Sequence, residues 1–156
     1  MAGPFKSGEL NLSESLVTSD HPHAPDAVIL DTNVFVGAGF NPASHSARLI
    51  DAIRAGRLRM VWNDATRSEI EHVLRQIPPL SWERVAGLFG EEDRFQGETH
   101  PEQFAYVPDP ADRKFAALAD ASGVPLVTSD HDLLQGRALA TVPILTPGEF
   151  VRRHTI

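Results

Sequence analysis

Cysteine is absent from this 156-residue chain. That excludes disulfides, thiolate zinc sites and cysteine nucleophiles, and it agrees with a reducing, cytoplasmic setting. Long apolar runs are missing too. No stretch approaches the roughly 20 residues that cross a bilayer, so no membrane role is expected. Residues 1–26 contain no apolar run flanked by basic residues and do not read as a secretory signal. A surplus of positive charge is also lacking: the formal net charge is −7. Proteins that hold nucleic acid by surface charge alone are usually basic, because phosphate contacts dominate their affinity. A polyanionic substrate therefore requires that some carboxylates be neutralised. Local arginines and lysines, in 54–59, at Arg67, Arg113, Lys114, Arg152 and Arg153, would then supply phosphate contacts.

What remains is ordinary for a globular protein. The apolar fraction is 42% and the charged fraction 22%, and the length argues for one domain with a real core. Residues 1–25 mix Gly, Pro, Ser, His and acids without periodicity, which predicts a flexible N-terminal tail followed by one domain over 26–156. The run Ala27-Val28-Ile29-Leu30 reads as a strand buried on both faces. Ser44 caps a helix with an apolar stripe at Ala47, Leu49, Ile50 and Ile53, and Gly56 is placed to end it. Leu58 to Trp62 predicts a second strand. Asn63 or Asp64 then caps a helix that Pro78-Pro79 stops. A further helix is predicted over Ser81–Gly90, a polar mobile loop over Glu91–Gln103, and a short edge strand over Phe104–Val107. Asp109-Pro110 opens a helix that Gly123 closes. Val124–Thr128 and Val142–Leu145 read as the last strands, with a short helix from Pro147. Strand and helix patterns thus alternate, and this predicts a parallel sheet with helices on both faces.

Two carboxylates depart from ordinary surface acidity. Asp31 and Asp130 each follow an apolar strand, at the edge of the sheet where open α/β folds bind ligands. Asp112 lies in the first turn of a helix that begins at the same edge. Asp109 and Asp112 both also suit structural work there, one as cap and one on the helix dipole. Carboxylates brought together raise one another's pKa unless a cation intervenes. Without cysteine, and without a histidine pair at metal spacing in the ordered part, oxygen-ligated Mg²⁺ or Mn²⁺ is the natural occupant. His131 reads as a solvated turn residue. Glu69 and Glu71 flank their helix's apolar face from opposite sides, so periodicity does not choose between them.

These residues carry a resemblance. Val28-Ile29-Leu30-Asp31-Thr32-Asn33-Val34-Phe35 is similar to the opening motif of the PIN-domain family. Glu69-Ile70-Glu71-His72-Val73-Leu74 resembles its second acidic motif, Asp109-Pro110-Ala111-Asp112-Arg113-Lys114-Phe115 its third, and Leu126-Val127-Thr128-Ser129-Asp130-His131-Asp132-Leu133-Leu134 its fourth. Ile144 to Phe150 resembles the family's close. Four motifs in register over roughly residues 27–152 are specific where each alone is weak. The resemblance implies a three-layer α/β/α sandwich with a five-stranded parallel sheet in the order 3-2-1-4-5. It selects Asp31, Glu69, Asp112 and Asp130 as catalytic and metal-binding residues. Asn33 and Thr128, next to the strand ends, and Asp132, which competes with Asp130, read as supporting groups. The resemblance also implies a Mg²⁺- or Mn²⁺-dependent endoribonuclease leaving 5′-phosphate and 3′-hydroxyl ends, often the toxin of a toxin–antitoxin pair, dimeric and neutralised by a small partner protein. The rival reading is a PIN-like module that binds RNA or protein without cutting. A haloacid-dehalogenase-type phosphatase would need an aspartate where Asn33 stands, and a phosphoacceptor receiver would need an adjacent acidic pair and a late lysine.

Overall fold

The computed structural model describes residues 26–156; the predicted tail over 1–25 lies outside the described residues. Strand β1 (Ala27–Leu30) is the centre of the sheet. Val28, Ile29 and Leu30 are all buried, which explains an apolar run with no polar alternation. Burying each such side chain contributes about 1.5–3 kcal/mol. Strands β2 (Arg59–Met60), β3 (Leu126–Val127) and β4 (Ile144–Leu145) complete it in the order β2-β1-β3-β4, all parallel. Val28 faces Met60 on one side, and Leu30 faces Val127 on the other.

Between β1 and β2 lie helices α1 (Thr32–Phe40) and α2 (His45–Arg54). Helix α3 (Asp64–Arg75) follows β2, and α4 (Arg113–Ser122) leads into β3. Helix α5 (His131–Gln135) lies between β3 and β4, and α6 (Pro147–His154) closes the chain. Parallel connections are right-handed. The step from β1 to β2 runs opposite to the steps leading to β3 and β4, so their helices go to opposite faces. The order reverses between β1 and β3, whose carboxyl ends therefore flank the crevice.

Helix α1 carried no periodic signal, because Val34 to Phe40 offers no polar face. It forms because Asp31 caps it, accepting from Val34 N–H at 3.2 Å. The predicted caps at Ser44 and Asn63 are present, the latter in a reciprocal box with Thr66. Gly56 and Gly123 adopt positive φ, 78° and 72°, at the ends of α2 and α4.

Three expectations are corrected. The sheet has four strands rather than five. Phe104–Val107 is not an edge strand: Pro101–Phe104 is a 3₁₀ turn, and Val107 N–H donates to Phe104 O at 2.9 Å. Phe104 and Val107 are both buried, a spacing of three that suits a turn and not the alternation of a strand. The place beyond β2 is taken instead from the segment read as a loop, where Arg94 forms a single parallel bridge to Trp62. Phe95 N–H donates to Trp62 O at 2.7 Å. The helix expected over Ser81–Gly90 is two 3₁₀ turns, Trp82–Arg84 and Ala86–Leu88. Here aromatic packing overrides helical propensity: the Phe89 ring lies 5.2 Å from Trp82, 5.6 Å from Trp62 and 5.9 Å from Phe35.

Candidate metal centre

Because β1 and β3 are neighbours in register, the residues that follow them meet at once. Asp31 N–H donates to Val127 O at 3.1 Å, and Thr128 N–H to Leu145 O at 2.9 Å. Thr128 is completely buried, and Asp31 is 3% exposed. The Thr128 hydroxyl donates to one Asp31 carboxylate oxygen and accepts from Asp130 N–H at 2.8 Å. One threonine thus ties the end of β1 to the turn after β3. Burial is the main force that raises the Asp31 carboxyl to about 7; the bonds from Thr128 and Val34 oppose it, and the charge of Asp130 adds to it.

Asp130 caps α5, with its Oδ1 accepting from Asp132 N–H at 2.8 Å. Across the crevice, Asp109 caps the 3₁₀ turn Pro110–Asp112, accepting from Ala111 N–H at 3.0 Å. That turn delivers Asp112 at the start of α4. Asp112, Asp130 and Asp132 each present a ligand oxygen, and these atoms all lie within 4.8 Å of one another. Burial, then the charges of Asp130 and Asp109, push the Asp112 carboxyl up to about 7. Among the described residues no lysine or arginine pairs with Asp31, Asp112, Asp130 or Asp132. Two buried side-chain oxygens there lack a hydrogen-bond partner, Thr32 Oγ1 and Asp112 Oδ2. An orphaned carboxylate oxygen among other carboxylates calls for a cation or a proton. The all-oxygen donor set fits a hard divalent ion.

The structure therefore gathers Asp112, Asp130 and Asp132, with Asp31 and Thr128 directly behind them. Asn33 is exposed in the first turn of α1, and His131 is exposed in α5. Glu69, on α3, does not join the close cluster; it reaches α4 and pairs with Lys114 Nζ at 3.1 Å. Sequence reasoning grouped Lys114 with Arg113 as a phosphate contact. The available signal was its position two residues after Asp112, on the same helix start. Arg113 instead donates to the carbonyl of Val107 at 2.8 Å. Arg59 is held by Asp93, and Arg67 pairs with Glu71 while lying over the Trp82 ring.

The PIN domain profile matches residues 27–132. The chain belongs to the PIN-domain family. That family is in general one of metal-dependent nucleases, and this chain carries an acidic cluster at the crevice. Among solved structures, FitAcB from Neisseria gonorrhoeae is 16% identical with a TM-score of 0.50, covering 78% of this chain and 98% of its own. The structure of FitAB bound to an IR36 DNA fragment is also 16% identical at a TM-score of 0.50, covering 77% of this chain and 94% of its own. PAE2754 from Pyrobaculum aerophilum is 17% identical, with 85% and 99% coverage and a TM-score of 0.48. At such identities the likeness is one of fold. No curated protein matches the chain.

Proposed function

We propose that this PIN domain is a metal-dependent endoribonuclease that hydrolyses RNA phosphodiester bonds with Mg²⁺ or Mn²⁺. The observation that carries this reading is the buried, unpartnered Asp112 Oδ2 beside Asp130 and Asp132. Asp112, Asp130 and Asp132 would hold the ion, with Asp31 backing them. When bound, a divalent ion supplies the charge that acidifies a water and stabilises the phosphate as its bond breaks. Thr128 keeps Asp31 and Asp130 in one geometry by bonding to both. Asn33 is exposed two residues after Asp31, where it can meet substrate. Glu69, paired with Lys114 two residues beyond Asp112, serves to orient the attacking water.

The family resemblance extends the proposal to a toxin of a toxin–antitoxin pair, a homodimer acting in the cytoplasm and restrained by a small antitoxin. Among the described residues no helix is long and apolar enough to cross a membrane. The direct test is cleavage of a mixed RNA pool with Mn²⁺, Mg²⁺ or EDTA, with products mapped by their ends. Wild type should yield 5′-phosphate and 3′-hydroxyl termini only with added metal, and Asp31→Asn should lose them. RNA binding without metal-dependent products, or undiminished cutting by that variant, would overturn the assignment.

A further inference from the structure

Glu69 and Lys114 form a pair that the acid cluster leaves unexplained. Their side chains are 25% and 26% exposed, so the pair is half-buried and each charge faces the other. Lys114 is the only lysine in residues 26–156; every other cation there besides histidine is an arginine. An ammonium is a compact point charge and can stand where a metal ion would stand, whereas a guanidinium is a broad planar fork. It sits in the first turn of α4, two residues beyond Asp112. Asp112, Asp130 and Asp132 converge without Glu69, whose Oε1 lies 3.1 Å from the ammonium. Glu69 is thus already neutralised by a cation that the chain itself supplies.

We propose that Lys114 occupies the place of a second cation beside Glu69, holding that carboxylate away from the ion bound by the three aspartates and limiting the resting site to one ion. This rests on the metal-centre reading given above. A second ion would have to displace the ammonium from its carboxylate, and it would meet that ammonium's repulsion. Lys114 is in this sense a positioning residue: it acts on the metal count through Glu69.

Mn²⁺ binding, followed by electron paramagnetic resonance of the free ion and by calorimetry, tests this without reference to cleavage. Wild type should take up one ion, and Asp130→Asn should lose it. Lys114→Met should gain a second ion, or bind it about tenfold more tightly than wild type does. Adding Glu69→Gln to Lys114→Met should return the count to one. Unchanged Mn²⁺ number and affinity in a folded Lys114→Met protein would overturn the inference while leaving the metal centre standing. Should that variant not fold, Glu69→Gln alone decides. It should leave the first ion's affinity within about twofold, and a loss of tenfold or more would make Glu69 a direct ligand and overturn the proposal. Absence of any Mn²⁺ uptake by wild type would remove the metal centre and this inference together.

Discussion

Acids are plentiful both along the outer flank of β2 and at the ends of β1 and β3, but the two regions treat them in opposite ways. On the flank Asp64, Glu91 and Asp93 each have an arginine. Asp93 meets Arg59 at 2.8 Å, and Arg94 holds Asp64 at 2.7 Å and Glu91 at 3.1 Å. The hydrogen bond from Arg94 holds the Asp64 carboxyl below its ordinary value. At the crevice Asp31 and Asp112 have no such partner among the described residues, and their carboxyls rise to about 7. The flank's charges are satisfied within the chain and stabilise the fold. The crevice's carboxylates have no such cation among the described residues, a pattern that suits the metal centre proposed above. Glu69 lies between the two regimes, close to the crevice yet paired as on the flank.

The comparison predicts where substitution will matter most. Asp112→Asn should reduce metal-dependent RNA cleavage about a hundredfold or more, the usual scale for losing a group that stabilises developing charge. Asp64→Asn, an equally conservative change on the flank, should leave cleavage within about twofold of wild type at saturating RNA. Initial rates for both variants, with folding checked by circular dichroism, would settle it. Equal losses would erase the distinction between the regions.

A pH experiment sharpens the same contrast with a smaller effect. A carboxyl whose folded pKa exceeds its unfolded one binds more protons in the native state, so stability falls as pH rises between the two values. For Asp31 and Asp112 that window runs from the ordinary carboxylate value of 3.8 to about 7. In EDTA the melting temperature should therefore drop by about 5–10 °C between pH 5.5 and pH 8. Mn²⁺ at pH 8 should restore most of it by binding the native state alone. Asp31→Asn, which keeps a capping side chain, should flatten the slope. A wild-type Tm that is level or rising over this range would show that the crevice acids carry no excess charge.

The legible parts of the molecule are those whose signal is local. Asp31 and Asp130 could be placed at strand ends because each follows an apolar run, and caps at Ser44, at Asn63 or Asp64, and at Asp109 were legible because capping is short-range chemistry; the second falls at Asn63. The parallel sheet followed from alternation, and Val28, Leu126 and Ile144 lie where that alternation places them. What was illegible depends on partners distant in sequence. Phe89 turns a would-be helix into 3₁₀ turns by meeting Phe35 and Trp62, neither near it in the chain. Lys114 was visible as a charge, but its partner Glu69 lies 45 residues away, so its use was not. Asp31 meets the turn that carries Asp130 only because β1 and β3 are neighbours, which no local pattern announces.

The mildest test concerns the flank itself. Arg94 has two separable jobs: its backbone bridges Trp62 at the sheet edge, and its guanidinium neutralises Asp64 and Glu91 while lying 6.0 Å from the centre of the Trp62 ring. Arg94→Ala keeps the first and removes the second. Exposed ion pairs contribute little, so the melting temperature should fall by less than about 4 °C, and the difference should shrink in high salt as screening replaces the lost partner. Cleavage at saturating RNA should not change. A folded Arg94→Ala protein that no longer cuts RNA would show instead that the flank's arginines are part of the working surface. The division between satisfied and unsatisfied acids would then no longer coincide with the division between scaffold and site.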